Sequence, residues 1–259
     1  MKDYKDFIFE TICLKKYFDG SEYPPIKYPK ITIKRNKINI IQGTTGIGKT
    51  SLLNLLGLMD KTDLNLSEEE SDILYRPEPN KPTISYKNDI YNNSKQKEKL
   101  IRNDFGFLFQ HDHLLDDMTC WENLEIRYFF KYPQKTKKKV KKKIETLLDL
   151  QGFSDLKKSE KKLPPPINRS PASLSGGQRH RVALMRALIH NPRIIFADEP
   201  FASVDEETAR NIFKVLIEKV EKDDITIIAV VHNKEKHLFS KHKEKINTID
   251  LNKLMNINH

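Results

Sequence analysis

The chain has 259 residues, which allows one large domain or two small ones. Its 37% hydrophobic and 32% charged residues suit a core under a well-hydrated surface, and a formal net charge of +10 points to an anionic partner, whether nucleotide, nucleic acid or the inner face of a membrane. The only cysteines, Cys13 and Cys120, exclude a disulfide framework and a Cys-rich zinc site, and no window reaches the ~18 apolar residues of a membrane span.

The N-terminus, Met1-Lys2-Asp3-Tyr4-Lys5-Asp6, precedes an apolar run too short for a signal peptide, so a reducing compartment and a soluble or peripheral protein are expected. Residues 7–18 alternate polar and apolar side chains as a strand does, with a turn at Asp19-Gly20. Pro24, Pro25 and Pro29 interrupt the next segment, and Ile31-Thr32-Ile33 reads as a further strand. Asn36 sits where a turn residue of positive φ is expected.

Ile38-Asn39-Ile40-Ile41 is a short apolar run of the kind a buried strand makes. It leads into Gly43-Thr44-Thr45-Gly46-Ile47-Gly48-Lys49-Thr50-Ser51 and then into Leu52, Leu53, Leu55, Leu56, Leu58 and Met59, spaced for one face of a helix. Strand, glycine loop, helix is the context of a phosphate-binding loop. The glycines let successive N–H groups turn inward, and the helix N-terminus adds positive potential. Lys49 is expected on the β- and γ-phosphates, the Thr50 hydroxyl on Mg²⁺, and the Ser51 hydroxyl on a phosphate oxygen.

Residues 63–82, acidic at Glu68-Glu69-Glu70 and broken by Pro77, Pro79 and Pro82, read as a surface insertion. Thr83-Ile84-Ser85-Tyr86 reads as an edge strand, and Phe105-Gly106-Phe107-Leu108-Phe109 as a compact strand ending at Gln110. Residues 112–133 are mixed and contain the only tryptophan, Trp121. Residues 135–143 are almost all lysine, yet Val140, Ile144, Leu147 and Leu148 fall on one helical stripe, so the lysines make a solvated face, with contact to acidic lipid headgroups as the alternative. Pro164-Pro165-Pro166 is a stiff connector. Leu174-Ser175-Gly176-Gly177-Gln178 opens a helix through Ile189. Residues 193–197 form a buried strand ending at Asp198-Glu199-Pro200, residues 206–220 a helix, and residues 225–231 a buried strand ending at His232. No internal repeat is found. Strands alternating with helices imply an α/β fold with a mainly parallel sheet.

In such a sheet, ligands bind beyond the carboxyl ends of the strands. Gln110, Asp198-Glu199 and His232 each follow such an end, and the glycine loop follows a fourth. Phosphoryl transfer is mostly positioning and electrostatics. Asp198 is placed to hold Mg²⁺ through water, Glu199 to accept a proton from the attacking water, and His232 to hydrogen-bond the γ-phosphate. Gln110 either orients that water or completes the metal shell.

With these residues in hand, nearly the whole chain resembles the ATP-binding subunits of ABC transporters. The discriminating element is Leu174-Ser175-Gly176-Gly177-Gln178, continued by Arg179-His180-Arg181-Val182-Ala183-Leu184-Met185-Arg186-Ala187-Leu188. Ala202-Ser203-Val204-Asp205 looks like the family's D-loop, which gives Asp205 a place at the site. Tyr17 is the candidate for the aromatic that stacks on adenine, with Phe18 as the alternative. The resemblance implies a P-loop NTPase (RecA-like) core with an antiparallel β subdomain and a helical signature subdomain. Residues 1–110 and 179–259 would form the nucleotide-binding core with the β subdomain, and residues 111–178 the helical part. It also implies a head-to-tail dimer in which each ATP lies between the glycine loop of one copy and the signature of the other.

Within that family, Phe105 to Thr119, Trp121-Glu122-Asn123-Leu124 and Arg169-Ser170-Pro171-Ala172-Ser173 are similar to the lipoprotein-releasing and macrolide-exporter type ATPases. The family glycine before the loop strand is replaced by Asn36-Lys37, and Asn233 follows His232 where aspartate is common. The resemblance implies ATP and Mg²⁺ as cofactors, a second copy and integral membrane permease subunits as partners, and a peripheral cytoplasmic place on the inner face of the membrane. The cargo implied is lipid-linked or hydrophobic; a cell-division ATPase that signals without transport is the alternative. A nucleic-acid partner is not expected, since repair ATPases of this superfamily carry long coiled-coil insertions.

Overall fold

The computed structural model describes residues 6–18, 24–60, 71–150, 152–159, 163–202, 204–231, 233–239 and 242–256. Its centre is a five-stranded parallel sheet of β5 (Ile38–Gln42), β8 (Phe105–Leu108), β9 (Ile194–Asp198), β10 (Thr226–Val230) and β11 (Ile246–Asp250), in the order β11-β5-β10-β9-β8. The inner strands β5, β9 and β10 are covered on both faces, which is why these segments read as continuous apolar runs. In β9, Ile194 and Phe196 face one core, while Ile195 and Ala197 face the other.

The first core holds helix α1 (Lys49–Leu56) and an antiparallel sheet of β1 (Phe7–Ile12), β4 (Thr32–Lys34), β6 (Asp72–Tyr75) and β7 (Ile84–Ser85), ordered β4-β1-β6-β7. Helix α2 (Ser94–Asn103) adds Leu100 to it. Tyr75 packs edge-on to Phe105 at 5.7 Å and the Phe9 ring lies 6.3 Å from Phe196, so aromatic rings join the two sheets. The second core holds α3 (Cys120–Lys131), α4 (Lys137–Leu148), α5 (Gly176–Leu188) and α6 (Glu206–Lys222). A short helix, α7 (Leu251–Leu254), follows β11. No helix among the described residues is long and apolar enough to cross a membrane.

Two expectations change. Residues 7–18 are not one strand: Cys13 has φ 46°, and β1 ends before it. The chain resumes as β2 (Lys15–Lys16), paired antiparallel with β3 (Ile26–Lys27). Nor are residues 63–82 wholly a surface insertion. Strand β6 lies inside the antiparallel sheet with Ile73 and Tyr75 fully buried, and Tyr75 donates to Asp104 Oδ2 at 3.0 Å. Its alternation spans four residues between an acidic run and a proline cluster, too short a signal to stand out. The turn at Asp19-Gly20 and the acidic run at 68–70 lie outside the described residues. The left-handed Asn36, at φ 50°, is as expected, and the stripe Val140, Ile144, Leu147 and Leu148 is buried.

Candidate active site

Register places the strand ends together. Ile41 pairs with Val230, Val230 with Asp198, and Leu108 with Ala197, all in parallel strands. The glycine loop, Asp198-Glu199 and the segment carrying Gln110 therefore leave the sheet along one rim. His232 follows β10 by two residues and lies outside the described residues.

The loop closes around its lysine. Lys49, only 8% exposed, donates from Nζ to Gly43 O at 3.1 Å and Thr44 O at 2.9 Å. These partners are neutral carbonyls, so the ammonium's charge stays at the loop. Gly46 and Gly48 are left-handed at φ 83° and 98°. Gly48 is also the N-cap of α1 and offers no capping side chain, and the first turn of α1 carries no acid. The first N–H groups of that helix are thus suited to an anion. Thr45 and Gly46 are exposed at the tip, while Ile47 is buried and donates its N–H to Thr44 O at 3.4 Å.

Thr50 Oγ1 donates to Asp198 Oδ1 at 3.2 Å, joining the loop to the end of β9. Glu199 follows with φ 49°, a left-handed conformation uncommon for this residue type. Its N–H bonds to Val230 O at 3.1 Å, and its carbonyl accepts from Ala202 N at 3.1 Å. Gln110 is exposed just past β8, beside Phe109, whose ring stacks on Phe107 at 5.7 Å. Tyr17 and Phe18 are both exposed after β2, and Lys16 Nζ lies 5.6 Å from the Phe18 ring centroid.

The second constellation is a helix tip. Ser175 caps α5 in a reciprocal box: its hydroxyl accepts from Gln178 N at 3.3 Å, and its own N–H donates to Gln178 Oε1 at 3.2 Å. Leu174 anchors the turn by burial, and Ser175 and Gly176 are exposed. A Cβ on Gly176 would meet open space, and one on Gly177 would lie 3.7 Å from Thr208 Oγ1. Neither glycine has a positive φ. Nothing among the described residues demands bare backbone there, which suits close approach from outside. Asp205 lies beside this tip as the N-cap of α6: Thr208 N donates to its Oδ1 at 2.9 Å and Thr208 Oγ1 to its Oδ2 at 2.7 Å. These bonds hold the Asp205 carboxyl below its ordinary pKa.

Residues 26–202 match the model of the ABC transporter family. The chain belongs to this family. It is an ABC-type ATPase. It is 31% identical to the lipoprotein-releasing system ATP-binding protein LolD of Legionella pneumophila (strain Lens), covering 85% of each chain. It is also 31% identical to the macrolide export ATP-binding/permease protein MacB of Bartonella quintana, but there it spans 87% of its own length and only 30% of that relative's. Among solved structures, it resembles a dimeric ATP-binding cassette in a post-hydrolysis state bound to ADP and Pi, with TM-score 0.73, 26% identity and 94% of each chain covered.

In this ABC ATPase the expected Mg²⁺ ligands are hard oxygen donors. The Thr50 hydroxyl and Asp198 carboxylate lie together, and Gln110 carries an amide oxygen on the same rim. Among the described residues no group of three or more His, Cys, Asp and Glu could hold a metal. A sparse set of this kind fits Mg²⁺, which keeps several waters and takes the rest of its shell from phosphates.

Some residues of the site escape a sequence reading. Asn252, on α7, accepts from Thr44 N at 3.1 Å and Thr44 Oγ1 at 3.2 Å. Tyr28 donates from its hydroxyl to Gly48 O at 2.8 Å. Arg179, just after the signature, forks onto Asp112 at 2.7 and 3.0 Å and reaches Asp116 at 3.3 Å. Burial alone would raise the Asp112 carboxyl, but Arg179, the Leu114 amide and the Arg186 charge outweigh it and hold it low. Arg186 donates to Asp112 O and His113 O, each at 2.6 Å. The loop after Gln110 is thereby tied to the signature helix.

Proposed function

We propose that this ATPase works as a head-to-tail dimer that drives a separate membrane permease. Each ATP would be bound by Gly43 to Ser51 of one copy and capped by Ser175, Gly176 and Gly177 of the other. Lys49 would hold the β- and γ-phosphates, and Tyr17 or Phe18 would stack on adenine. Thr50 and Asp198, with Gln110, would hold Mg²⁺, which neutralises charge on the phosphate oxygens when bound. Glu199 would take the proton of the attacking water, and His232 would hydrogen-bond the γ-phosphate. Asp205 would stand at the seam between the copies.

The observation that carries this reading is the Thr50–Asp198 contact of 3.2 Å beside the buried Lys49. It brings the phosphate loop and the carboxylate strand end into one cluster. For the membrane partner, support comes from the surface after Gln110. Leu115 in the loop after Gln110, and Ile126 and Phe130 one turn apart on α3, are 50%, 46% and 49% exposed, apolar side chains that a helix of the permease would cover. The names of the LolD and MacB relatives, a lipoprotein-releasing and a macrolide export protein, support a lipid-linked or hydrophobic cargo; the ATPase would sit on the inner face of the membrane. The test is Glu199→Gln. It should bind ATP as tightly as the parent, lose turnover by about a hundredfold or more, and accumulate as dimer in gel filtration with ATP. Steady-state turnover equal to the parent would remove Glu199 from its role.

A further inference from the structure

We propose that Tyr28 is a positioning residue for the phosphate loop, its hydroxyl holding the Gly48–Lys49 peptide so that the Lys49 N–H is presented to the phosphates of ATP. The proposal rests on the assignment of the phosphates to this loop. Tyr28 is 3% exposed and donates to Gly48 O at 2.8 Å. The same carbonyl accepts from Leu52 N at 2.9 Å, in the first turn of α1. Across a trans peptide the C=O and N–H point in opposite directions. A donor under the Gly48 carbonyl therefore fixes the plane from behind and leaves the Lys49 N–H facing the loop's concave side. Two donors on one carbonyl also polarise the amide, which strengthens its N–H as a donor.

The phenol is itself held. Tyr28 N donates to Leu14 O at 2.8 Å, which locks the residue to the segment before β2. Thr11 Oγ1 donates to the next carbonyl, Pro29 O, at 3.2 Å, and accepts from Ile31 N at 2.9 Å. Burial raises the phenol well above its ordinary pKa, opposed by a hydrogen bond from the Ser51 side chain and aided by the Asp60 carboxylate, so it stays protonated and able to donate. The contact is close enough to dictate Gly48 as well: a Cβ there would lie 2.5 Å from Tyr28 Oη and 2.8 Å from Ile26 Cδ1.

Tyr28→Phe keeps the ring and removes only the donor. The measurement is the ATP dissociation constant by titration, together with kcat and KM for hydrolysis. A main-chain amide that binds ground state and transition state alike contributes to affinity and not to the chemical step. The expected result is an ATP Kd and KM raised about three- to tenfold with kcat kept within about twofold. An unchanged Kd, or a fall in kcat with KM unchanged, would overturn the role of Tyr28. Lys49→Ala run alongside separates the two levels. Weak binding by Lys49→Ala with normal binding by Tyr28→Phe sinks this inference alone. Normal binding by Lys49→Ala sinks the loop assignment, and this inference with it.

Discussion

Glu199, the proposed general base, also carries backbone strain. Its φ of 49° costs on the order of 1 kcal/mol for a residue with a Cβ, and the Val230 carbonyl holds its N–H in that conformation. Strain kept at a strand end beside a phosphate loop marks a carboxylate whose direction matters more than its comfort. Glu199→Gly should therefore unfold at the same or a higher temperature than the parent, while turnover falls by about a hundredfold or more. Calorimetry and an ATPase assay read the two arms, and a Tm several degrees lower would remove strain from the account. At this scale, legibility follows from locality. Lys49, Thr50 and Asp198 could be read because residue type and neighbours within a few positions identify them. Tyr28 and Asn252 could not, since their contacts with the loop span 20 and 208 positions of chain. A tyrosine between two prolines carries no mark of the carbonyl it will meet.

Elements join through buried polar groups as well as apolar faces. His190, fully buried just past α5, faces Phe105 O of β8 at 3.0 Å and Arg127 Nη2 of α3 at 2.7 Å. Burial, and then the charges of Arg127, Lys131 and Lys143, push its pKa from 6.5 down to about 2, with the Phe105 bond opposing. The folded state thus binds fewer protons than the unfolded chain between these two values, so stability rises with pH across that window and levels off above 6.5. Acidification from pH 6.5 to about pH 5 should cost about 1.5 kcal/mol through this group. Urea midpoints at the two pH values measure it, and His190→Gln should flatten that fall; an equal slope in both proteins would contradict the linkage. Which elements could be read follows from the same physics. The lysine-rich helix α4 was legible because its four apolar residues keep helical spacing whatever lies between them. Helix α2 was not, because Leu100 is its only buried residue and leaves no stripe. Strand β11 sits at the sheet edge with Ile249 its one buried residue, so it lacks the continuous apolar run of its neighbour β5.

The proposed dimer rests on two unlike half-sites, a curled loop and an exposed Ser-Gly-Gly helix tip whose glycines no contact among the described residues explains. In the proposed head-to-tail dimer, pairing by a two-fold axis would bring each tip to the other copy's loop and close two equivalent sites at once. This arrangement has a consequence that a self-contained site does not share. Lys49→Ala disables the loop and leaves its own tip intact; Ser175→Arg blocks the tip and leaves its own loop intact. Each variant alone should be nearly inactive, since both of its sites carry the same defect. A mixed dimer, however, contains one site with both lesions and one with neither. With random pairing, half the dimers of an equimolar mixture are mixed and each keeps one site of two, so the mixture should recover about one quarter of the parent ATPase rate. Ser175 is also a helix cap, so Ser175→Arg costs about 1 kcal/mol of stability, and its folding is checked by circular dichroism before mixing. The assay is phosphate release against the mole fraction of one variant, which should trace a parabola with its maximum at equal amounts. A flat line at the level of the single variants would mean that loop and tip do not meet across a pair, and the head-to-tail dimer would fall with it.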